Sequence, residues 1–358
     1  VTTPVGHTTQ AYVGAFVDEL ARVGIRHVCI APGSRSTPLA LLIAEHPRLR
    51  VWMHLDERSA AFFALGMARM LGEPVAILCT SGSAAANFLP AVVEARSAGV
   101  PLLVLTADRP PELREVGAAQ TIDQNRLYGS HAKWFADVTL PDATPDALRY
   151  ARMLACRAAA IARATPAGPV HLNFPFREPL VPVAGGAPVD LASADELAWR
   201  GRPDGAPWVE VPARVVALDT NWVERLAMQL CAARRPLIIC GPQYDTALAA
   251  PLAALARTLG APLLADPLSQ VRWGAHDRST VIDRYDAALR DAATAVTLAP
   301  DLVLRFGAMP TSKPLLQFLQ RHGAARLIVV SAGSWSDPTL LASQMIHADD
   351  APLCAQLL

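Results

Sequence analysis

The stretch Val51-Trp52-Met53-His54-Leu55-Asp56-Glu57-Arg58-Ser59-Ala60-Ala61-Phe62-Phe63-Ala64-Leu65-Gly66-Met67-Ala68-Arg69-Met70 changes character in its middle. A short apolar run stops at Asp56-Glu57-Arg58, and an alanine-rich run with helical spacing follows, so a strand ends and a helix begins there. Strand-to-helix turns at the carboxyl edge of an open α/β sheet are where ligands bind, because several loops converge and helix amino ends present free N–H groups. Glu57 therefore stands where chemistry is commonly done. A plainer reading is also open: an acid in the first turn of a helix is favoured by the helix dipole alone.

Outward from this point the pattern repeats. Thr9 to Val23 has the spacing of an amphipathic helix, stopped by Gly24, and Val28 to Ala31 reads as a short buried strand. Pro38 to Glu45 is the next helix, Pro74 to Cys79 a strand, Ala84 to Ser97 one continuous helix, and Pro101 to Thr106 a strand. Ala107 to Lys133 is long, polar and turn-rich, and such segments inside a compact domain are usually functional or disordered. Strands over Phe135 to Leu140 and Pro169 to Phe174 flank a long helix, Pro145 to Ala164. Strands alternating with helices imply right-handed crossovers and a mainly parallel sheet covered on both faces.

The 358 residues exceed one ordinary core and point to two domains. The spacing predicts a first α/β domain over 1–180, a linker rich in Pro, Gly and Ala over 181–217, and a second over 218–358. Helices at Trp222 to Ala233, Thr246 to Leu259 and Pro314 to Arg321 alternate there with strands at Pro236 to Cys240, Pro262 to Ala265, Asp301 to Phe306 and Arg326 to Val330. The fold class expected is therefore two consecutive three-layer α/β domains with mainly parallel sheets, the second Rossmann-like. Its turn Cys240-Gly241-Pro242-Gln243 has one glycine where a dinucleotide site would have three, so tight NAD or FAD binding is unsupported.

Lys+Arg and Asp+Glu both total 32, so no broad basic field attracts nucleic acid or an anionic membrane. Hydrophobic residues make up 52% and charged ones 18%, yet no apolar run approaches the ~18–20 residues that span a bilayer. The excess is expected in cores and subunit contacts. The first residues lack the pattern of a signal peptide, which gives an expectation of a cytoplasmic protein. Six cysteines without a C-x-x-C read as structural thiols, and no histidine spacing suggests a metal site.

Three further loops carry chemistry. Pro32-Gly33-Ser34-Arg35-Ser36 offers N–H groups, hydroxyls and a guanidinium to an anion, or else a capping turn in which Ser36 or Thr37 is the N-cap. Thr80-Ser81-Gly82-Ser83 repeats the design one strand along, and Asp108-Arg109 follows another strand. Forked Arg donors match both oxygens of a carboxylate, so Arg35 and Arg109 suggest a small carboxylated substrate. The competing reading pairs either Arg with Asp108, Asp56 or Asp123. Lys313, in Thr311-Ser312-Lys313-Pro314, is the candidate contribution of the second domain; an ordinary solvated Lys is the alternative.

C-I-A-P-G-S-R-S-T-P (Cys29 to Pro38), L-D-E-R (Leu55 to Arg58), T-S-G-S-A-A-A-N (Thr80 to Asn87), T-A-D-R-P-P-E-L (Thr106 to Leu113), G-A-A-Q-T-I-D-Q (Gly117 to Gln124) and R-F-G-A-M-P-T-S-K-P (Arg305 to Pro314) occur in order. Together they resemble the 2-succinyl-5-enolpyruvyl-6-hydroxy-3-cyclohexene-1-carboxylate synthase family of thiamine-diphosphate enzymes in menaquinone biosynthesis. The resemblance implies a pyrimidine-binding domain followed by a central domain. It implies a transferase that decarboxylates 2-oxoglutarate and adds the succinyl unit to isochorismate, with thiamine diphosphate and Mg2+ as cofactors and a homodimer or dimer of dimers as the assembly.

By the same matching Glu57 is the catalytic acid at the cofactor's aminopyrimidine, with Ser81 and Gly82 beside the cofactor. Ser34, Arg35, Arg109, Gln120 and Lys313 are the substrate-binding positions. Ala119 and Pro314 depart from some relatives. No G-D-G motif occurs, Asp204-Gly205 lying in the linker, so the diphosphate and metal ligands are expected in a further domain outside these residues and the chain alone is expected to be inactive. Two other functions fit the same loops: a carboligase of the acetohydroxyacid synthase type, and a non-catalytic module that binds a carboxylate.

Overall fold

The computed structural model describes residues 5–181, 196–212, 216 and 218–358. The chain divides into two compact units, Val1–Ala213 and Arg214–Leu358, each built on one six-stranded sheet whose pairings are all parallel.

In the first unit the strands are β1 (His27–Ile30), β2 (Arg50–Met53), β3 (Val75–Cys79), β4 (Leu102–Asp108), β5 (Trp134–Asp137) and β6 (Val170–Pro175), in the spatial order 2-1-3-4-6-5. Because side chains alternate across a strand, Val28, Ile30, Ala76, Leu78, Leu103 and Leu105 face one layer of helices, while Cys29, Val75, Ile77, Leu102 and Val104 face the other. The first layer holds Val5–Arg22, Thr37–Glu45 and Pro145–Arg163; the second holds Glu57–Leu71 and Leu89–Ala98. Every residue of β3 and β4 is buried, the condition under which strands read as unbroken apolar runs. Each such Leu, Ile or Val contributes roughly 1.5–3 kcal/mol on burial.

The second unit repeats the plan with β7 (Pro236–Cys240), β8 (Leu263–Ala265), β9 (Val281–Ile282), β10 (Leu302–Phe306), β11 (Arg326–Val330) and β12 (Ala342–Ile346), ordered 12-11-10-7-8-9. Its two cores again use alternate residues of the same strands. This is the three-layer architecture expected for both halves.

Several local expectations shift. The helix expected without a break over Ala84 to Ser97 is two pieces, Ser83–Ala86 and Leu89–Ala98. Pro90 causes the break: it has no N–H to donate, and its ring clashes with a helical carbonyl one turn back, so it is tolerated only in the first turn of a new helix. Strands β9 and β12 and the short helices Tyr285–Arg290 and Ala292–Thr297 were not legible, being too short or too polar to show a period.

The segment expected as a linker over 181–217 behaves differently where it is described; 182–195, 213–215 and 217 lie outside the described residues. Residues 196–212 pack on the first unit. Buried Arg152 donates to the carbonyls of Ala198 (2.9 Å) and Trp199 (2.7 Å) and pairs with buried Glu19 (2.8 Å). Arg22 donates to the carbonyls of Arg200 and Arg202, and Glu19 accepts from the backbone N–H of Trp208. These charged contacts between distant segments carry the first unit past residue 180 to Ala213. All six cysteines are free, five of them buried. Among the described residues no helix is long and apolar enough to cross a membrane.

Candidate active site

A parallel sheet sends all its strand-to-helix turns to one edge, and in the first unit the strand order decides which turns meet. The chain steps from β1 outward to β2, then crosses back to place β3 on the other side of β1. The loops after β1 and β3 therefore diverge from a topological switch point, the usual position of a ligand crevice. Those loops are Pro32–Ser36 and Thr80–Ser83. They touch: the backbone N–H of Arg35 donates to Thr80 Oγ1 at 3.3 Å. Gly33 is required for this approach, since a Cβ there would lie 2.4 Å from Thr80 Cβ.

Glu57 is the first residue of helix Glu57–Leu71, after the edge strand β2 at the same carboxyl edge. The helix is capped by its neighbour: Asp56 accepts from the N–H of Ser59 at 2.7 Å. Glu57 is thus not needed for capping. It is half-buried, makes no hydrogen bond through its carboxylate to any described residue, and is close enough to the buried end of β3 to help raise the pKa of the Cys79 thiol, after burial itself. A carboxylate so placed is favoured by the helix dipole and is also left available at the crevice.

Arg35 and Arg109 come from the ends of β1 and β4. Arg35 is buried at 7% exposure; its guanidinium donates to the carbonyl of Phe176 (2.9 Å) and pairs with the exposed Glu178 at 3.4 Å, its Nε finds no partner among the described residues, and the charge of buried Asp108 also reaches it. Burial first, and then the charge of Arg109, hold its pKa below the usual arginine value. Arg109 donates to Ser81 Oγ at 2.7 Å and to the carbonyl of Ala119 at 2.9 Å. The carboxylates considered as partners for these guanidiniums have other principal partners. Asp108 pairs with Arg114 (2.9 Å), Asp56 caps its helix, and Asp123 accepts from the N–H of Asn125. Two guanidiniums thus act on one another at this edge; buried Asp108 also acts on Arg35, but its carboxylate is paired with Arg114, and no carboxylate is paired with the Arg109 guanidinium among the described residues, an arrangement suited to binding a carboxylate.

Gln120 sits opposite the β3 loop. Its side chain donates to the carbonyl of Ser81 (3.1 Å), and Ser81 Oγ donates to its carbonyl (3.0 Å). Gln120 adopts φ +55° and Gly82 φ +83°, and a Cβ on Gly82 would lie 3.1 Å from the Gln120 carbonyl oxygen. Backbone held in a sparsely populated region persists where the surroundings over-determine it, commonly at ligand sites. Ser81 is fully buried with its hydroxyl engaged both as donor and acceptor, and Gly82 N–H is bonded to Gln124, so both residues shape the loop through internal bonds. Ser34 is exposed at the mouth. Its carbonyl accepts from the Thr37 hydroxyl, and Ser36 donates to the Gly33 carbonyl, so neither hydroxyl makes the N-cap bond expected of it. Lys313 lies on the second unit, exposed at the start of helix Lys313–Arg321, which Ser312 caps.

The residue that sequence reasoning left unassigned is Gln124, 1% exposed. Its Oε1 accepts from Gly82 N–H (2.8 Å), and its Nε2 donates to the Ala107 carbonyl (3.0 Å) and Asn173 Oδ1 (2.8 Å). It therefore joins the loop after β3 to β4 and β6. Asn173 extends the network to Asp108 (2.8 Å) and Asp137 (3.0 Å), and Thr106 bonds both Asn173 and His171 at 2.8 Å. Burial pushes His171 down to about 3, so it is neutral and structural. The signals for Gln124 were its place in the long irregular segment after β4 and at the end of the G-A-A-Q-T-I-D-Q motif, neither of which assigns it a partner.

Among the described residues no group of three or more His, Cys, Asp or Glu side chains is placed to hold a metal ion. Residues 12–127 match the family described as thiamine pyrophosphate enzyme, N-terminal TPP binding domain, and residues 199–357 the middle domain of thiamine pyrophosphate enzymes. The chain is 54% identical over 347 residues to the 2-succinyl-5-enolpyruvyl-6-hydroxy-3-cyclohexene-1-carboxylate synthase of Geobacillus thermodenitrificans (strain NG80-2), covering 97% of the chain and 58% of that relative. The synthases of the same name from Chloroflexus aurantiacus and Listeria innocua are 52% and 46% identical, with 97% and 95% of the chain covered and 57% of each relative. The chain thus spans less than two thirds of the length of these relatives. With two such domains in succession, the chain belongs to the thiamine pyrophosphate enzymes, and along nearly all of its length it is similar to the 2-succinyl-5-enolpyruvyl-6-hydroxy-3-cyclohexene-1-carboxylate synthases.

Proposed function

We propose that this chain provides the pyrimidine-side acid and the carboxylate-binding loops of a synthase that decarboxylates 2-oxoglutarate and joins the succinyl unit to isochorismate. The observation that carries this reading is the convergence of the mutually repelling Arg35 and Arg109, the second with no carboxylate partner for its guanidinium among the described residues, at the sheet edge that also holds Glu57. Thiamine diphosphate, when bound, supplies the electron sink for decarboxylation and carbon–carbon bond formation.

The residues fit that cofactor at its pyrimidine end. Glu57 holds a proton at its carboxylate and exchanges it with the heterocycle, a task favoured by partial burial and by the absence of a competing partner among the described residues. Arg35 and Arg109 bind the carboxylates of a dianionic acid, and Ser34 and Gln120 give polar contacts at the mouth. Ser81 and Gly82 set the loop against which the cofactor rests. Lys313 is offered as a further cation for substrate. Mg2+ and the diphosphate need several oxygen ligands in fixed geometry, which we assign to polypeptide beyond the described residues.

We further infer a homodimer or a dimer of dimers. Leu55 is 96% exposed beside Glu57, and Met53, Phe62, Phe63, Met70 and Leu71 continue an exposed apolar strip along the edge strand and its helix. Sedimentation of a Leu55→Asp variant as monomer, against wild type as dimer, tests this.

The function is tested in the assembled enzyme. Glu57→Gln is expected to lower the rate of 2-oxoglutarate decarboxylation by about 10²–10⁴, the range of a lost general acid–base group. Calorimetric binding of 2-oxoglutarate is expected to stay nearly unchanged in Glu57→Gln and to fall in Arg109→Ala. Wild-type turnover by Glu57→Gln would refute the assignment.

A further inference from the structure

The second unit contains a cavity of about 340 Å³ at the amino edge of its sheet, where β7 and β8 begin. Lys313 and the Gly241 turn follow the carboxyl ends of β10 and β7, so the cavity lies at the opposite edge of this sheet from them. Its walls are Leu237 and Leu264 from the sheet, and Leu289, Leu298 and Phe318 from the helical layer. The gap has a topological cause. β9 is only two residues long, and two short helices, Tyr285–Arg290 and Ala292–Thr297, cover this face where a full crossover helix would have filled it.

The mouth is basic. Arg234 and Arg235 both line it. The carboxylate of Asp301 nearby is taken up by their backbone N–H groups, at 2.7 and 3.0 Å, and does not pair with their guanidiniums. Arg235 is braced by a bond to the carbonyl of Thr297, which orients it over the helix end that supplies Leu298 to the wall. Arg234 is exposed, and its guanidinium has no partner among the described residues.

We propose that this cavity is a binding site for a small amphipathic organic carboxylate, its apolar body held among Leu237, Leu264, Leu289 and Phe318 and its head at Arg234 and Arg235. The volume lies within the ~300–1,000 Å³ of small-ligand sites, which combine an apolar lining with a few placed polar groups. Water is a poor occupant of such walls, because it finds too few hydrogen-bond partners. A guanidinium at the rim matches a carboxylate in shape and charge. An acyl chain and an aryl ring present the same chemistry to the site.

Isothermal titration of the protein with decanoate and with biphenyl-4-carboxylate tests the proposal, with decan-1-ol as the uncharged control. One saturable site is expected for at least one of the two acids, and the acid that binds identifies the body as acyl or aryl. Leu289→Trp, which fills the space, is expected to weaken it about tenfold or more, and Arg234→Ala about fivefold with a reduced salt dependence. Decan-1-ol is expected to bind at least about tenfold more weakly than decanoate. Ala288→Leu narrows the same cavity from another wall and serves if Leu289→Trp does not fold. Absence of saturable binding at millimolar acid overturns the proposal. So does binding that the cavity-filling variants leave unchanged, since the ligand would then sit on another apolar surface such as that around Met53 and Leu55.

Discussion

Replacing Gln124 by Leu preserves the side chain's approximate size while removing three hydrogen bonds at 2.8, 3.0 and 2.8 Å. Gly82 N–H, buried and bonded to Gln124, loses its acceptor; Asn173 Oδ1 keeps its bond from Thr106. An orphaned buried donor costs about 1–3 kcal/mol and each other lost bond about 0.5–1.5. Some of this is offset by the apolar gain of Leu, which leaves an expected loss of about 2–4 kcal/mol in the first unit. For a unit of this size the melting temperature should fall by roughly 5–15 °C. The damage should not stop at stability. Gly82 adjoins Ser81, whose hydroxyl accepts from Arg109 and donates to Gln120, so 2-oxoglutarate binding should weaken as well.

Gln124→Glu separates acceptor from donor. It keeps an acceptor for Gly82 N–H but sets a carboxylate against the Ala107 carbonyl and Asn173 Oδ1, which favours its neutral form and raises its pKa in the folded state. Its stability should therefore be greatest in acid and fall as pH rises through that raised pKa. Scanning calorimetry across pH, with calorimetric titration of 2-oxoglutarate, checks both. A Gln124→Leu protein that melts within about 1 °C of wild type would refute the reasoning, because the bonds could not then be holding the loop.

Other outcomes follow from the same structure. Gly241→Ala should destabilise the second unit by about 3 kcal/mol or more, since its Cβ would lie 1.7 Å from the Ala308 carbonyl oxygen; Gly14→Ala, in helix Val5–Arg22 where an added Cβ meets nothing within 4 Å, should gain about 0.5–1 kcal/mol, and denaturant titration compares them. Arg152→Ala leaves the fully buried Glu19 uncompensated and should cost about 3–5 kcal/mol, with faster proteolysis within residues 196–212 as a second readout. Asp350 is pushed up to about 7 by burial first and then by Asp245 and Asp349. A raised folded-state pKa gives stability that is present below the ordinary carboxylate range and lost as pH rises through about 7. Asp350→Asn should flatten this dependence and raise stability at pH 8 by up to ~4 kcal/mol, measured by urea unfolding at several pH values.

The middle-domain turn after β7 shows what a single glycine in a sequence does not disclose. In Cys240-Gly241-Pro242-Gln243 the structure gives Gly241 a packing role, since an added Cβ would lie 1.7 Å from the Ala308 carbonyl oxygen. The segment expected as a linker hides its contacts in a similar way. Its Pro, Gly and Ala content has no period, but residues 196–212 are held through backbone carbonyls and N–H groups by Arg22, Arg152 and Glu19, and a sequence does not display such bonds.

What the sequence by itself determined is the succession of buried strands and covering helices, and with it the turns that carry Glu57, Ser34, Arg35, Ser81 and Arg109. Apolar spacing along a strand or helix is local and is written directly in residue order. Only the tertiary structure decided that β1 lies between β2 and β3, so that turns about fifty residues apart share one crevice. It also decided that Asp108 pairs with the guanidinium of Arg114 and takes only the backbone N–H of Arg109, and that Gln124 is buried as the brace of the loop. These choices depend on which distant groups compete for the same charge or hydrogen bond, and that competition exists only once the chain has been brought together.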